Sequence, residues 1–198
     1  MSPVQIVTWV VLVTLALWLL AAYNRLVRGR NEIGNAFAQI DVQLKRRHDL
    51  IPNLVEVARK YVQHERDTLE AVIAARNGAR QASDAARAKP VDAGRIGALG
   101  IAEGALAGAL RQLAVVVEAY PELKADATLR ELSEELGHTE NRVAFARQAF
   151  NDSVLEYNNA AQQAPTNLIA GLFSFRDAAM LESTTKEVER AAPRVNLA

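Results

Sequence analysis

The residues of this sequence whose types and spacing suit metal chemistry are three histidines and one Glu-x-x-His pair. Glu135 and His138 lie three positions apart, so on a helix both side chains point to one face. Di-iron helical bundles carry such a pair on each of two helices, together with two further glutamates. A second pair is missing here, because neither His48 nor His64 has a carboxylate three positions before it. We therefore predict no metal site and no bound cofactor.

The common nucleophiles also lack the neighbours that would activate them. The sequence has no cysteine, which excludes disulfides, thiolate metal sites and cysteine nucleophiles. It has no HExxH, no phosphate-binding glycine loop and no GxSxG. Ser83, Ser133 and Ser153 stand in no pattern that would activate a hydroxyl. The expectation is a protein that is not an enzyme and has no catalytic residue.

The densest group of charges comprises Lys45, Arg46, Arg47, His48 and Asp49. It could bind acidic lipid headgroups or an acidic partner, or it could be a solvated face with ion pairs that cap a turn at Pro52. On a helix Arg46 lies more than about 30 Å from the end of the apolar run at Tyr23. That distance exceeds the Debye length of about 8 Å, so we favour the solvated face and the ion pairs.

Overall composition indicates helices and excludes a nucleic-acid-binding class. Basic and acidic residues both number 23, so no net positive field attracts DNA or RNA. Alanine is abundant, aromatic residues make up 6% of the chain, and no run of alternating β-branched residues predicts a strand. The predicted fold class is all-α.

The positions of all other elements depend on the apolar run at residues 4–23. It has no charge and no proline, and as a helix it is about 30 Å long, the thickness of a bilayer core. Aromatic rings near its ends favour the headgroup layer. A cleavable signal peptide would need basic residues before the run and a small-x-small site after it, and both are missing. Residues 1–23 are therefore predicted to be a transmembrane anchor containing Trp9, Trp18 and Tyr23.

Orientation of this span is predicted from its flanks. Arg25, Arg28 and Arg30 follow it directly, and before it only the amino terminus is basic. The positive-inside rule places the rest of the chain in the cytoplasm and the N-terminus outside. The three arginines complete the predicted membrane anchor, because they lie at the level of the lipid phosphates.

Four amphipathic segments follow the span. Apolar residues recur with helical spacing at Ile33, Phe37, Ile40 and Leu44, and Pro52 then allows either one kinked helix or a turn and a new helix. We favour a break at Pro52, with a turn near Leu50 and Ile51, because it yields segments of similar length at 24–49, 52–83, 92–119 and 127–163. These are predicted to form an antiparallel four-helix bundle over residues 24–165, with apolar seams of the coiled-coil type.

Polar residues among the apolar positions have two interpretations. Burial would require hydrogen bonds, so they either fix the register between helices or line a binding pocket. We favour register-fixing contacts between helices for Asn53, Asn141, Arg142, Asn151 and Asn158. On the third segment Gly100, Gly104 and Gly108 predict that another backbone comes close.

Residues 166–198 are predicted to be a C-terminal cap segment and a polar tail. The segment 168–175 is too apolar for a free surface loop. It could cap the bundle, touch the membrane interface or dock a neighbouring copy, and capping is favoured. Its apolar residues are a candidate interaction surface: Leu168, Ile169, Leu172, Phe173 and Phe175.

Three stretches together resemble the bacterial LemA family. They are YNRLVRGRNEIGNAFAQIDVQLKRRHDLIPNLVE (23–56), YPELKA (120–125), and TENRVAFARQAFNDSVLEYN (139–158) followed by NLIAGLFSF (167–175). The resemblance implies an N-terminal membrane anchor, a four-helix bundle and no established biochemical activity. Some relatives resemble components of bacterial magnetosome membranes. After Phe175 the family's aromatic, acidic tail is replaced here by a mostly polar one.

The combined expectation is a single-pass protein of the bacterial inner (cytoplasmic) membrane. Its expected partners are the lipid bilayer, further copies of itself in a homo-oligomer, and an unidentified membrane protein. We expect it to be a scaffold or interaction protein that organises membrane or membrane proteins. The alternatives are a regulatory adaptor for a membrane protease, kinase or transporter, and a metal- or ligand-binding bundle.

Overall fold

The computed structural model describes residues 2–182, and within that range every regular element is an α-helix. The helices are α1 (Pro3–Arg59), α2 (Arg66–Ala88), α3 (Ala93–Ala119), α4 (Pro121–Lys124), α5 (Ala127–Gln162) and α6 (Thr166–Leu172). From residue 173 to residue 182 the chain has no helix or strand. The described residues confirm the all-α prediction, whereas the part of the predicted polar tail from residue 183 onward lies outside them.

The predicted break at Pro52 is wrong, because α1 is one helix of 57 residues that contains this proline. A proline inside a helix removes the N–H that would bond to the carbonyl four residues earlier, which here is that of His48. In the structure Nε of Arg76, on α2, donates a hydrogen bond to the His48 carbonyl oxygen at 2.9 Å. A side chain from α2 thus replaces the missing backbone donor, and the helix continues to Arg59.

The helical body, which we define as residues 22–182, is built around the apolar stripe of α1. The predicted stripe residues Ile33, Phe37, Ile40 and Leu44 are all buried. α1 packs along both α5 and α2, and α2 packs along α3. The rings of Phe37 on α1 and Phe150 on α5 meet edge to face, with centroids 5.8 Å apart. Burial of each large apolar side chain contributes about 1.5–3 kcal/mol, so this stripe is a main source of stability.

α1 and α5 approach each other closely at a glycine of α1. A Cβ atom built on Gly29 would lie 3.1 Å from Cδ2 of Tyr157 on α5, closer than about nine in ten real Cβ contacts. Tyr157 is buried, so its ring has little room to move away.

The glycines of α3 do not mark such an approach. A Cβ on Gly108 would meet nothing within 4 Å, and a Cβ on Gly100 would make only an ordinary contact with a Leu181 side chain. The prediction of a close backbone is therefore wrong at these two positions.

The start of α5 is set by Asp126, whose carboxylate bonds to two donors. Its Oδ1 accepts a hydrogen bond from the N–H of Leu129 at 2.9 Å, as an N-cap residue does. Its Oδ2 accepts one from the hydroxyl of Tyr61 at 2.8 Å. The Leu129 N–H, followed by the Tyr61 hydroxyl, lowers the pKa of Asp126, and the same bond to Asp126 raises the pKa of Tyr61.

This carboxylate is expected to make stability depend on acid pH. Because the pKa of Asp126 is lower in the folded state, its contribution is fully present above the unfolded pKa of about 3.9 and is lost as pH falls through the folded pKa. Asp126→Asn keeps a capping side chain but loses the charge. We expect the variant to melt below wild type at neutral pH, and the gap to narrow below about pH 4, in thermal melts followed by circular dichroism.

Asp152→Asn, at an exposed carboxylate in the middle of the same helix, is the matched control. A gap between Asp126→Asn and wild type that stays constant down to acid pH would contradict this assignment.

Candidate functional site

The first part of α1 extends from the helical body with its apolar side chains uncovered. An 18-residue window there has a mean hydropathy of 2.3, and none of it is buried. Trp9 and Trp18 are both exposed. The hydroxyls of Thr8 and Thr14 donate to the carbonyls of Val4 and Val10 at 2.9 and 2.8 Å, so these polar side chains are satisfied within the helix. The segment is long and apolar enough to cross a bilayer.

α3 is also long and apolar enough to cross a bilayer, with a mean hydropathy of 1.4. It differs from the first part of α1 because 22% of its apolar stretch is buried, it packs along α2, and its Glu103 is buried next to Arg47 of α1. A helix that packs through one face and holds a buried ion pair is a weaker candidate for a membrane span.

The helical body begins where the span ends. Ala22 and Leu26 are already buried in its core. The ring of Tyr23 meets Phe173 and Phe175 edge to face, with centroids 5.0 and 5.6 Å away. These three aromatic residues form what we call the junction cluster. Through it, the end of α6 and the residues after it lie directly against the last residue of the predicted span.

The predicted anchoring arginines occupy two environments at this junction. Arg25 and Arg28 are exposed, and so can reach lipid phosphates. Arg30 is also exposed, but its guanidinium carbon lies 5.6 Å from the centre of the Phe175 ring, a cation–π distance. Arg30 therefore connects α1 to the junction cluster as well as adding positive charge.

The candidate interaction surface on α6 divides into two sides. Ile169 is buried against the core, which supports the favoured capping role for that residue. Leu168, Leu172 and Phe173 are exposed, and Phe175 is half-buried in the junction cluster. The segment thus caps the helical body with one side and leaves an apolar surface on the other.

After α6 the chain returns along α5 as an extended segment, residues 176–182, which we call the strap. The side-chain amide of Asn158 donates to the carbonyl of Ala178 and accepts from its N–H, both at 2.9 Å. Asn151 makes the same pair of bonds with Leu181, at 3.1 and 2.8 Å. The seven positions from Asn151 to Asn158 on the helix correspond to a rise of about 10.5 Å. The three positions from Ala178 to Leu181 on the extended strap cover about the same distance, so the two pairs of bonds form together.

Asn151 and Asn158 therefore fix a register, but between a helix and the strap and not between helices as predicted. The signal in the sequence was their spacing of seven, which places both on one face of α5. The prediction of burial is wrong for Asn53, Asn141 and Arg142, which are all exposed.

Removing one of these amides is expected to release the strap locally. Asn158→Ala deletes both bonds to Ala178, which together contribute about 1–3 kcal/mol. We expect the amide of Ala178 to exchange with deuterium about ten-fold faster or more, as measured by mass spectrometry. Asn159→Ala, at the adjacent exposed position, is the control and should leave exchange unchanged. Equal exchange in both variants would contradict a role for Asn158 in holding the strap.

The interior of the helical body holds a charged group that we call the buried triad: Arg47, His48 and Glu103. Nη1 of Arg47 lies 3.3 Å from Oε2 of Glu103, and Nε2 of His48 lies 3.0 Å from Oε1 of the same carboxylate. All three side chains are buried. Nε and Nη2 of Arg47 and Oε2 of Glu103 have no hydrogen-bond partner among the described residues. Glu103 is therefore the carboxylate that pairs with both Arg47 and His48 of α1.

The interpretation of the charged cluster as a solvated face is wrong for Arg47 and His48, which are buried. Lys45, Arg46 and Asp49 are exposed, as that interpretation requires. Arg47 continues the apolar stripe of α1, three residues after Leu44, and this spacing could have predicted its burial. Glu103 lies four residues after Leu99, on the buried stripe of α3. This spacing could likewise have predicted its burial, which was not predicted.

Glu135 and His138, the pair with ligand spacing, are not part of the triad. Glu135 forms an ion pair with Arg46, and His138 is exposed. Within residues 2–182, no three side chains of the metal-binding types are grouped so that they could hold a metal ion.

Comparison with known proteins adds two findings. The family model described as "LemA family" matches residues 36–197. The magnetosome protein MamQ of Magnetospirillum gryphiswaldense is 25% identical over 196 residues, which cover 88% of this chain and 71% of MamQ. The match to the family model begins on α1, within the helical body, and extends through the remaining described helices.

Proposed function

Because this chain belongs to the LemA family, we propose that it is a membrane-anchored scaffold that self-associates and organises membrane or membrane proteins. The proposal includes no chemical reaction, and its expected partners are the lipid bilayer, further copies of the chain and a membrane protein. The magnetosome membership of its relative MamQ supports a role at a membrane.

The observation that carries the proposal is the continuity of α1. A single helix leads from the uncovered apolar segment into the core of the helical body, where Leu26 and Ile33 are buried. At about 1.5 Å per residue it is about 85 Å long. Because no loop separates the two parts, the orientation of the span determines the orientation of the helical body.

We further propose that the helical body is an antiparallel four-helix bundle of α1, α2, α3 and α5. Contacts between α1 and α5 support opposite directions, because low numbers on one helix meet high numbers on the other. Gly29 faces Tyr157, whereas Arg46 pairs with Glu135. The short connections from α1 to α2 and from α2 to α3 also favour antiparallel neighbours.

Self-association is supported by large apolar side chains that the helical body leaves uncovered. Ile101 and Val115 on α3 and Phe145 on α5 are exposed, well away from the span in sequence. Each of these side chains is at least 70% exposed, and covering it with another protein surface would remove apolar area from water.

The test is the copy number of the full-length chain in its own lipids. The protein is extracted into polymer-bounded lipid discs and weighed by mass photometry; we expect two or more copies per particle, retained on dilution. Ile101→Asp combined with Phe145→Asp should reduce the number, whereas Gln148→Asp, at an exposed polar position of α5, should not. Single copies in every sample would overturn the scaffold and favour the regulatory adaptor.

We also propose that the span crosses the bacterial inner membrane with its N-terminus outside. The arginines after the span support this orientation. Since the chain has no cysteine, Ser2→Cys and Gln81→Cys, the latter at an exposed position of α2, each introduce one thiol for labelling. A membrane-impermeant maleimide should label Ser2→Cys in intact spheroplasts and Gln81→Cys only after lysis. The reverse pattern would overturn the orientation.

A further inference from the structure

We propose that α6 is a second membrane contact, whose exposed side chains Leu168, Leu172 and Phe173 insert into the interfacial layer of the bilayer. The ligand is a lipid surface containing anionic lipid. This inference rests on the proposed anchoring by α1 and adds a specific contact that fixes the tilt of the helical body.

The position of α6 along α1 supports this contact. The ring of Phe173 lies 5.0 Å from that of Tyr23, the last residue of the span. A tyrosine at the end of a span lies at the level of the lipid headgroups. Phe173 must then lie at that level too, and α6, which ends one residue earlier, lies beside it.

The two sides of α6 have the polarity that an interfacial helix needs. Leu168 and Leu172 are four residues apart, so they share one face, while Ile169 and Ala170 face the core. Residues 166–175 contain no charged side chain, so insertion desolvates no charge. Phe173 on this side of α6 touches Tyr23 at the end of the span, so a bilayer that covers the span also reaches the exposed apolar face.

Nearby charge favours anionic lipid. Arg25 and Arg28 are exposed within about two turns of Tyr23 on α1, and Arg176 is exposed shortly after α6. Each basic group at the surface of an anionic bilayer strengthens binding, and the effect is confined to roughly a Debye length. These cations and the apolar face of α6 therefore favour the same surface.

The experiment measures the depth of single fluorescent labels on the full-length chain. Leu172→Cys is labelled with the fluorophore NBD and reconstituted into vesicles of equal parts phosphatidylcholine and phosphatidylglycerol. Gln81→Cys is the control, because Gln81 is exposed on α2, away from the span and outside the proposed self-association surface. Leu12→Cys, in the middle of the span, reports whether the anchor is inserted.

We expect acyl-chain-brominated lipid to quench the labels at 172 and 12, and aqueous iodide to quench the label at 81 several-fold more than that at 172. Equal iodide quenching at 172 and 81, with the label at 12 still quenched by brominated lipid, would overturn the inference and leave the anchor intact. A label at 172 shielded from both quenchers would show that another copy covers α6, which also overturns it. A label at 12 that brominated lipid does not quench would overturn the anchor together with this inference.

A second variant removes the concern that the fluorophore itself seeks the membrane. Leu168→Asp, added to the labelled Leu172→Cys chain, should raise iodide quenching several-fold, because it places a charge on the inserting face. Leu155→Asp, at an exposed leucine of α5, is the control and should leave the quenching unchanged. Unchanged quenching in both variants would overturn the role of this face.

Discussion

Replacing Glu103 with leucine is expected to lower the free energy of unfolding by about 3–5 kcal/mol, because it leaves a buried charge without its partner. The carboxylate lies between Arg47 and His48, and all three side chains are buried. Without it, the Arg47 guanidinium stays buried and loses the carboxylate with which it pairs. Thermal and denaturant unfolding of the full-length chain in detergent, followed by helical circular dichroism, measures the loss.

The matched control is an exposed ion pair in which the residue next to Arg47 on α1 contacts α5. Arg46 pairs with Glu135, and both side chains are about half exposed. Glu135→Leu should cost about 1 kcal/mol or less, because water solvates the arginine that remains.

A compensating variant separates burial of charge from loss of shape. Arg47→Met combined with Glu103→Leu leaves no unpaired arginine in the core, so it should recover most of the stability that Glu103→Leu loses. If Glu103→Leu and Glu135→Leu cost the same, or if the double variant recovers nothing, the carboxylate does not act by neutralising Arg47.

Replacing Arg76 with methionine is expected to cost about 1–3 kcal/mol, because it leaves the His48 carbonyl without a donor. That carbonyl has lost its helical partner to Pro52. Arg80→Met, one turn later on α2 and exposed, is the control and should have little effect. Thermal and denaturant unfolding followed by circular dichroism, as for Glu103→Leu, measures both costs.

A double-mutant cycle shows whether the cost of Arg76→Met depends on Pro52. Pro52→Ala restores the backbone N–H, so the His48 carbonyl can be bonded within α1. In that background Arg76→Met should cost less than half of what it costs in wild type. Equal costs in both backgrounds would mean that Arg76 stabilises the fold through another contact, such as Asp49, whose carboxylate lies 3.9 Å away.

The two effects bear on the proposed scaffold because both concern the rigidity of α1 below the membrane. Arg76 allows α1 to pass Pro52 without a break, and Glu103 ties α1 to α3 within the charged cluster, through Arg47 and His48. If α1 bent at Pro52, the part of the helical body beyond it would no longer follow the span. The orientation that we propose for the helical body therefore depends on contacts far from the lipid.

Much of this organisation follows from the sequence alone, because it depends on local properties. The uncovered segment of α1 was predicted from a run of twenty uncharged residues. The length and apolar character of this run indicate a span without any contact to the rest of the chain. α3 and α5 begin and end within one residue of the predicted 92–119 and 127–163, because caps and prolines act on the adjacent backbone. The buried stripe at Ile33, Phe37, Ile40 and Leu44 follows from helical periodicity in the same way.

Other features depended on residues distant in the sequence, and only the tertiary structure decided them. Pro52 breaks a helix in isolation, but Arg76, 24 residues later, supplies the missing donor. Arg47 tolerates burial because Glu103 reaches it from α3, and Asn158 meets Ala178 because the strap returns along α5. The exposed face of α6 has a defined direction because Ile169 packs against the core and Phe173 packs on Tyr23. In each case the hydrogen bond, opposite charge or ring that sets the energy lies on another element, so local propensity alone could not predict the outcome.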